Sequence, residues 1–316
     1  MLTSPDPLPD TVFSVNVQDG PLNTTWSYSS PAYDASSPGN PPISRAFLMP
    51  HFSFWGWPLP WVGSFPRAAA AIKDLEASLP FRRKDPRAVW RGTLRYNSAH
   101  NPHLRRDLLA RTEGKAWADV QELRWEERNA TVDGSPGKEN VATNSLMVED
   151  FCRYKYVIHT EGITYSGRFQ FLQMCRSVLL TPPIAWMQHT THLVRPLFSS
   201  DLGLGEDGAW EPTSGERKAW PRHYEPGEAN IVFVAPDWSD LEKTVLWLEE
   251  HPMVAEGIAQ RQRDLFVDRG YFSPAAEVCY WRALIRAWSK VARTEGQGWE
   301  EQVGVPWEQF ILGHDE

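Results

Sequence analysis

The stretch that decides the fold is YKYVIHTEGITYSGRFQFLQMCRSVLLT, residues 154–181. Residues 154–161 are predicted to form a strand, residues 167–175 a short helix and residues 177–181 a second strand, because two short apolar runs flank a helical segment behind a glycine-containing turn. Two strands that are joined through a helix lie parallel, as in a βαβ unit. The stretch therefore predicts a parallel sheet.

Strands and helices alternate on both sides of this unit. Strands are predicted at residues 12–17, 46–54, 88–94 and 231–235, and helices at 66–76, from Asn101-Pro102, from Ser239, from 252 to 270 and from Ser273-Pro274. Ser239 and Glu242 have the spacing of a capping box. Residues 133–140 and 199–229 are rich in Gly, Pro and charged residues, which indicates loops. The alternation is typical of the α/β class.

Composition limits the possible functions. The chain has 316 residues, a length at which two domains are the first expectation. Its formal charge of -8 argues against a nucleic-acid-binding protein, which needs a basic face, and no run is apolar enough for a membrane span. Sixteen Trp residues either fill a core or stack on sugar rings. Neither use is decided by composition.

The turn between the two strands of residues 154–181 has the features of a phosphate site. Gly162, Ser166 and Arg168 lie where the helix begins, and a helix N-terminus with an arginine suits a diphosphate. The spacing of a dinucleotide fingerprint and the GK[ST] of a P-loop are both absent. The alternative is that Arg168 is a solvated residue on a helix surface.

Two further places carry candidate groups. The strand at 88–94 runs through Arg91 into Gly92, where a ligand can approach the backbone, and Arg105 follows in the next helix. Asp19 ends the VNVQD stretch and could take a proton from an attacking hydroxyl, or it could serve only as a turn residue before Gly-Pro. No Asp-x-Asp pair of the kind that chelates a metal–diphosphate occurs.

Together these residues resemble glycosyltransferase family 90, which includes the protein O-glucosyltransferases and fungal xylosyltransferases. The resemblance rests on FLMPHFSFW (47–55), VWRG (89–92), CRYKY (152–156) with Gly162 and SGRF (166–169), and VCYW (278–281). These blocks occur in the family's order and cover nearly the whole chain. Each block is common by itself, and their combination is specific.

The resemblance implies a GT-B architecture, in which two Rossmann-like domains face a cleft. Residues 1–87 would be the remainder of an N-terminal acceptor-side domain, 88–272 the nucleotide-sugar-binding domain, and 273–316 a C-terminal helix and tail that packs back on the N-terminal domain. It also implies a disulfide between Cys152 and Cys175, and hence the lumen of the Golgi or the endoplasmic reticulum.

The implied activity is inverting, metal-independent transfer of xylose or glucose from a UDP-sugar to a hydroxyl of a glycan or glycoprotein, with no cofactor besides the donor. Asp19, in the N-V-x-D-x-P pattern, would be the catalytic base. Arg168, in S-x-R, and Arg105, in R-x-x-L, would bind the diphosphate. The complete set of predicted donor-binding residues is Arg168, Arg105, Ser166, Gly92, Arg91 and Gly162.

The chain departs from the family pattern in several places. It opens shortly before Asp19, which predicts an incomplete N-terminal domain; read as complete, a chain without a leader would be cytoplasmic. Cys279 lacks the partner that it has in the family, and His51 stands where an acidic residue is common. Trp55 and Trp57 are predicted near the acceptor cleft, whereas Trp90 and Trp281 belong to the scaffold blocks.

Two alternatives remain beside the transferase. A catalytically silent remnant of the family would bind UDP or carbohydrate without turnover. A glycoside hydrolase would need two carboxylates that face each other across the cleft, and only Asp19 is well placed by pattern.

Overall fold

The computed structural model describes residues 6–32, 46–132, 135–205 and 210–293. The chain divides into two compact units, one of Val15–Glu277 and one that combines Met1–Ser14 with Val278–Glu316. Within the second unit, the indole Nε1 of Trp288 donates to the carbonyl oxygen of Val12 at 2.8 Å. No helix in the described ranges combines the length and the apolar character that crossing a bilayer requires. The predicted limits of the three domains stay a prediction.

The described residues contain fourteen strands, β1 to β14 in chain order. They are β1 (Trp26–Ser27), β2 (Ser30–Pro31), β3 (Phe47–Leu48), β4 (Gly56–Trp57), β5 (Gly63–Ser64), β6 (Asp85–Gly92), β7 (Ala118–Glu122), β8 (Trp125–Val132), β9 (Ser135–Ala142), β10 (Tyr154–Ile158), β11 (Val178–Thr181), β12 (Trp186–Met187), β13 (Pro196–Phe198) and β14 (Ile231–Phe233).

Seven α-helices lie in the same described ranges. They are α1 (Phe65–Ser78), α2 (Leu104–Thr112), α3 (Phe169–Gln173), α4 (Ser214–Ala219), α5 (Leu241–Glu250), α6 (Pro252–Arg263) and α7 (Pro274–Ser289). α1 confirms the helix predicted at residues 66–76; Ser64 caps it by accepting from the backbone N–H of Arg67, and a proline occupies its first turn. The predicted helix 252–270 is divided: α6 ends at Arg263 and a π-helical turn, Asp264–Asp268, follows.

The central sheet has six strands in the order β13, β14, β11, β10, β6, β7, and every neighbouring pair is parallel. The parallel βαβ unit predicted from residues 154–181 is confirmed, with Val157 opposite Leu179. Short parallel strands that are apolar throughout can be buried on both faces of a sheet. The mixed α/β class is therefore correct, and the remaining described strands form two-stranded pairs.

Side chains that alternate along these strands supply two cores. One face packs against α2, α5 and α6, through residues such as Trp90, Tyr156, Leu180, Leu108, Leu248 and Ile258. The opposite face packs against α3, through residues such as Val89, Val157, Leu179, Phe169 and Leu172. The two-residue period of a strand sends neighbours to opposite faces, so a single apolar run serves both cores.

Residues 135–140 contradict the loop that the sequence predicts for residues 133–140. β8 and β9 form an antiparallel hairpin with Val132 opposite Ser135, while Asp133 and Gly134 themselves lie outside the described residues. The Asp-Gly pair is a strong signal for a two-residue hairpin turn. The prediction is wrong because β8, with the sequence WEERNATV, lacks the apolar alternation by which a strand is recognised.

Two other local predictions are also wrong. No side-chain cap hydrogen bond starts α5, whose N-cap is Asp240; the backbone N–H of Ser239 donates instead to Asp237. A true capping box occurs inside the predicted loop 199–229, where Thr213 and Glu216 start α4. Asp240 is buried and accepts from the backbone N–H of Ala235, so tertiary packing determines where the helix begins.

The N-terminal strands are shorter than predicted. Of residues 12–17, only Val15 makes a bridge, to Trp26, and of residues 46–54 only β3 is strand. Residues Phe52–Phe54 form a 3₁₀ turn that is capped by His51. This part of the chain contributes β3 to a two-stranded parallel sheet with β1, and its other residues form turns.

The predicted disulfide is present. Cys152 and Cys175 are bonded, and both are fully buried against an apolar cluster that includes Ile72, Phe171 and Phe266. The bond joins the turn before β10 to the residues after α3, so it closes the βαβ unit. Cys279 is a free, exposed thiol.

Candidate functional site

The strand order places a crevice between β6 and β10. The connection after β6 leads to β7, on one side of this point. The connection after β10 leads to β11, on the other side, so the two connections run in opposite directions. In open parallel sheets, ligands bind outside the carboxyl ends of the strands at such a switch point. The segments that leave β6 and β10 here contain Gly92 and Thr93, and His159 to Arg168.

Arg105 joins these two segments. It projects from α2, is buried, and donates from Nη1 to the carbonyl oxygen of Thr93 at 2.8 Å and from Nη2 to that of Glu161 at 2.9 Å. Its guanidinium lies 5.9 Å from the ring centroid of Trp90. Its Nε is buried and has no hydrogen-bond partner among the described residues.

Arg168 points into the same crevice. Its Nη1 donates to the carbonyl oxygen of Arg91, and both Arg168 and Arg105 line one cavity of about 540 Å³ together with Gly92, Thr93 and Ser166. We call this the arginine cavity. Neither arginine forms an ion pair with a carboxylate in the described part of the chain.

The electrostatics of the arginine cavity favour an anion. Burial lowers the pKa of Arg105, and the charge of Arg168 lowers it further. Burial also lowers the pKa of Arg168. His159, which is buried beside both, has its pKa lowered to about 3 by burial and by the two guanidinium charges, so it stays neutral. Two cations that are partly desolvated without counter-charge are stabilised when an anion binds.

The helix N-terminus contributes less than the sequence predicts. The helix is only α3, and the backbone N–H of Phe169 already donates to the carbonyl oxygen of Ser166 at 3.1 Å. The backbone N–H of Arg168 donates to Ser166 Oγ at 3.4 Å. Because the turn satisfies these groups itself, the donors that remain for an anion in this crevice are those of the two guanidinium groups.

A buried polar network holds the turn that carries Ser166 and Arg168. Ser53 Oγ donates to the carbonyl oxygen of Gly167 at 3.2 Å and also contacts His51 Nδ1 and Gln170 Nε2. Burial lowers the pKa of His51 to about 4, so its ring is neutral. A Cβ on Gly167 would lie 2.8 Å from His51 Cε1 and 2.9 Å from the ring of Trp57. His51 therefore supports the turn that carries Ser166 and Arg168.

Asp19 lies beside that turn. Its carbonyl oxygen accepts from Thr164 Oγ1 at 2.8 Å, and its side chain is exposed. Burial raises the pKa of Tyr165, and the negative charge of Asp19 raises it further. Asp19 does not line the arginine cavity itself. The structure thus brings the predicted base to residues 164 and 165, next to the predicted phosphate ligands.

The remaining predicted residues have structural contacts. The guanidinium of Arg91 pairs with Asp119 at 2.8 Å. A Cβ on Gly92 would lie 2.5 Å from the ring of Trp90, so the indole itself requires glycine there. Gly162 donates its N–H to the carbonyl oxygens of Thr164 and Tyr165 and lies near Arg105.

Aromatic residues that the sequence did not single out line the other side of the arginine cavity. They are Trp61, Tyr96 and Trp125, beside the predicted Trp57. The rings of Trp61 and Trp125 are 5.9 Å apart. Trp55, which was predicted with Trp57, does not line this cavity and is exposed. No sequence pattern marks these residues, because they come from β4, the turn before β5, the segment after β6 and the hairpin.

One group of metal-ligand type lies within the described ranges. The ligand atoms of Glu76, Cys152 and Cys175 are all within 4.8 Å of one another. The two sulfur atoms form the disulfide, and the carboxylate of Glu76 accepts from Lys84 Nζ at 2.7 Å. The ligand atoms of this group are therefore already engaged, the sulfur atoms in the disulfide and the carboxylate in the ion pair.

Comparisons with known proteins agree on one family. A model of glycosyl transferase family 90 matches residues 1–198. An O-glucosyltransferase rumi homolog from Aedes aegypti is 24% identical over 304 residues, which cover 91% of this chain and 63% of that protein. Protein O-glucosyltransferase 1 from Homo sapiens is 24% identical over 293 residues, covering 90% of this chain and 63% of the human protein. O-glucosyltransferase rumi from Drosophila melanogaster is 22% identical over 305 residues, covering 91% and 62%. The chain thus spans about 63% of the length of these relatives.

Proposed function

The chain belongs to glycosyl transferase family 90, and on this premise we propose that it transfers a sugar from a UDP-sugar to a hydroxyl group of a glycoprotein or glycan, with inversion and without a metal ion. Glucose or xylose is the proposed sugar. The names of the relatives, which are O-glucosyltransferases, support glucose.

The observation that carries the proposal is the pair of arginines, Arg105 and Arg168, in one cavity without a carboxylate partner in the described residues. When the glycosidic bond to the diphosphate breaks, negative charge develops on the departing phosphate. Fixed cations that face this position stabilise the transition state more than the ground state. Two guanidinium groups can take the role that a metal ion takes in other transferases.

Asp19 is proposed as the base that accepts the proton of the acceptor hydroxyl. Its place beside Thr164 and Tyr165 brings a carboxylate next to the turn that carries Arg168. A base on one side of the sugar and a stabilised leaving group on the other suit a single in-line displacement. In this step the acceptor oxygen forms a bond to the anomeric carbon, the bond to the UDP oxygen breaks, and the proton passes to Asp19.

Architecture and compartment complete the proposal. We propose a GT-B arrangement in which the six-stranded sheet is the donor-binding half, because its crevice carries the arginine cavity. The buried disulfide supports an oxidising compartment, such as the lumen of the endoplasmic reticulum or the Golgi.

The test is calorimetric binding of UDP to variants of two adjacent arginines. Arg105→Ala should weaken UDP binding about tenfold or more, whereas the exposed neighbour Arg106 provides the matched control, and Arg106→Ala should bind as the wild type does. Equal affinity of the Arg105 variant and the wild type would refute the phosphate assignment. In parallel, Asp19→Asn should retain UDP binding and lose most sugar transfer, by about 10²–10⁴-fold. Full turnover in that variant would place the base elsewhere.

A second candidate is a catalytically silent UDP-binding protein of this family. It is favoured by one observation, that Asp19 is exposed and does not line the arginine cavity. The donor screen that decides between the two measures UDP release from UDP-glucose, UDP-xylose, UDP-galactose and UDP-glucuronate with protein and glycan acceptors. Turnover with any pair excludes the silent protein.

A further inference from the structure

Two of the nine asparagines of the chain begin an N-x-[ST] sequon, in Asn23-Thr24-Thr25 and in Asn129-Ala130-Thr131. The middle residue is not proline in either place, so both have the pattern of an acceptor for N-linked glycosylation. Because the pattern is short, the sequence alone leaves open whether either asparagine is modified. The fold adds the missing criterion, since a bulky and hydrophilic glycan needs an asparagine at the surface.

Both sequon asparagines are exposed, whereas the asparagines of the core belong to no sequon. Asn23 lies in an exposed turn, and Asn129 lies on an exposed stretch of β8. Asn16 and Asn230, by contrast, are buried, and the Nδ2 group of each donates to a backbone oxygen inside the fold. The Nδ2 groups that face solvent are therefore found where the sequons are.

The turn that carries Asn23 is closed by its own hydrogen bonds. The backbone N–H of Asn16 donates to the carbonyl oxygen of Trp26 at 2.8 Å, and Thr25 Oγ1 donates to that of Leu22 at 2.9 Å. Thr25 is buried, so its hydroxyl is out of reach of an enzyme once the chain has folded. Any modification of Asn23 therefore precedes the closing of this turn.

The hairpin that carries Asn129 leaves room for a glycan. Asn129 lies opposite Lys138, and in the described part of the chain β8 and β9 pair with no further strand. Residues 126–128, which precede Asn129, are exposed as well. Successive side chains of a strand point to opposite faces, so both faces of β8 are in solvent here. A large group on Asn129 is therefore compatible with the fold.

The disulfide supports the compartment in which this modification takes place. Cys152 and Cys175 are bonded and buried, and such bonds form and persist in oxidising compartments, among them the lumen of the endoplasmic reticulum. A chain that folds in that lumen meets the glycosylation machinery before its turns have closed.

We propose that Asn23 and Asn129 are N-glycosylation sites. In the transfer, Nδ2 of the asparagine forms a bond to the anomeric carbon of an oligosaccharide that is linked to a lipid diphosphate. The bond from that carbon to the diphosphate oxygen breaks, the amide nitrogen loses one proton, and the lipid diphosphate leaves. This inference rests on the proposed function, because it assumes the lumenal compartment that is part of it.

The glycan on Asn23 would stand beside the proposed base. Asn23 follows Asp19 by four positions, so their α-carbons are at most about 14 Å apart. The side chains of both residues are exposed. An occupied Asn23 therefore places a large hydrophilic group near Asp19.

The experiment maps glycan occupancy on the whole chain, produced behind a cleavable secretory leader in a eukaryotic host. Peptide N-glycosidase releases the glycans in heavy-oxygen water, so that each asparagine that carried one becomes an aspartate with a heavy-oxygen label, and mass spectrometry locates the label. We expect label at Asn23 and Asn129 and at no other asparagine. Because the wild-type chain gives this result directly, no variant has to fold for the test to decide.

Variants of the hairpin provide the matched comparison. Thr131→Ala removes the sequon but keeps Asn129, and it should lose one of the two glycans; Thr131→Ser restores the sequon and should regain it. Asn140→Gln changes an exposed asparagine on β9 that begins no sequon, and it should keep both glycans. Asn23→Gln should lose the other glycan.

Three results would overturn the assignments. Absence of label at both asparagines, in protein whose Cys152–Cys175 bond has formed, would refute the proposal as a whole, because the bond shows passage through the oxidising lumen. Label at one asparagine alone would refute the other site, and a glycan that persists in Thr131→Ala would refute Asn129. Failure of the proposed function has a separate signature, since Arg168→Ala would then leave UDP binding unaltered whether or not the glycans are present.

Discussion

Arg91 in the central sheet and the pair Arg105 and Arg168 beside it differ in their counter-charges. Arg91, in β6, pairs with Asp119 at 2.8 Å and also donates to the backbone oxygens of Asp119, Trp90 and Asn144. Arg105 and Arg168 donate to backbone oxygens as well, yet they have no carboxylate partner in the described residues. Hydrogen bonds to backbone oxygens fix the guanidinium groups of all three arginines, but only Arg91 also has a carboxylate, that of Asp119, as a counter-charge.

We propose that this difference separates a structural arginine, Arg91, from two ligand-binding ones, Arg105 and Arg168. A buried charge that already has an oppositely charged partner is part of the fold, and removing it leaves that partner buried and unpaired. A buried charge without compensation reduces stability and gains from an added anion.

Arg168→Ala should lower kcat/KM for sugar transfer by about 10²–10³-fold, because a fixed cation no longer faces the leaving phosphate. The melting temperature of the ligand-free protein should not fall, since the cation that is removed has no counter-charge. UDP should then raise that temperature less than it does in the wild type. A large loss of stability without UDP would show that Arg168 is structural and would end the distinction.

Arg91→Ala should act in the opposite way. It should lower the free energy of unfolding by about 3 kcal/mol, because Asp119 would lose a buried partner. UDP affinity, measured at a temperature where the variant is folded, should stay within about threefold of the wild-type value. Denaturant unfolding and calorimetry on the same sample test both. A variant with wild-type stability and much weaker UDP binding would reverse the roles of the two environments.

Ser53→Ala tests how the backbone of the turn that carries Ser166 and Arg168 is held. The change removes the hydrogen bond to the carbonyl oxygen of Gly167 and the contacts with His51 and Gln170. UDP affinity should fall about three- to tenfold, in line with about 1 kcal/mol for one such bond. Ser53→Thr keeps the hydroxyl and should recover part of the affinity. If both variants bind as tightly as the wild type, the network does not position Arg168.

The smallest effect is a change in the pH dependence of stability. In the folded protein the pKa of Glu161 is raised from the ordinary 4.5 to about 8, so between these values the folded state holds a proton that the unfolded state has lost. The free energy of unfolding therefore decreases as pH rises from about 4.5 to about 8, with a slope that corresponds to at most one proton. Unfolding curves from pH 5 to 8 should show a shallower decrease in Glu161→Gln than in the wild type. Parallel curves would mean that Glu161 is ionised in the fold.

The sequence predicted the parts of this protein whose signals are local. The βαβ unit of residues 154–181 was predicted correctly because buried parallel strands are short apolar runs. The sequence did not predict the hairpin β8–β9, because its first strand is polar on both sides. It also predicted the wrong cap for α5, because the N-cap residue Asp240 accepts hydrogen bonds from the backbone N–H of Ala235 and from Ser199 Oγ. Burial and tertiary contacts override local patterns in such places.

The candidate site was predictable as a set of residues but not as an arrangement. Arg105, Arg168, Ser166 and Gly92 do line one cavity. Arg91 was predicted with them, yet its guanidinium is occupied by Asp119, 28 positions away. The aromatic wall of Trp61, Tyr96 and Trp125 and the buried Glu161 carried no sequence signal. Their proximity is produced by the sheet order, which no spacing along the chain encodes.

By itself, the sequence determined the α/β class, the parallel unit and, through its resemblance, the family and the Cys152–Cys175 bond. Only the tertiary structure decided which of the buried arginines have a carboxylate partner. The reason is physical: the free energy of a buried charge depends on the groups within a few ångströms of it, and here those groups come from positions far apart, as with Arg105 and Glu161, 56 residues away.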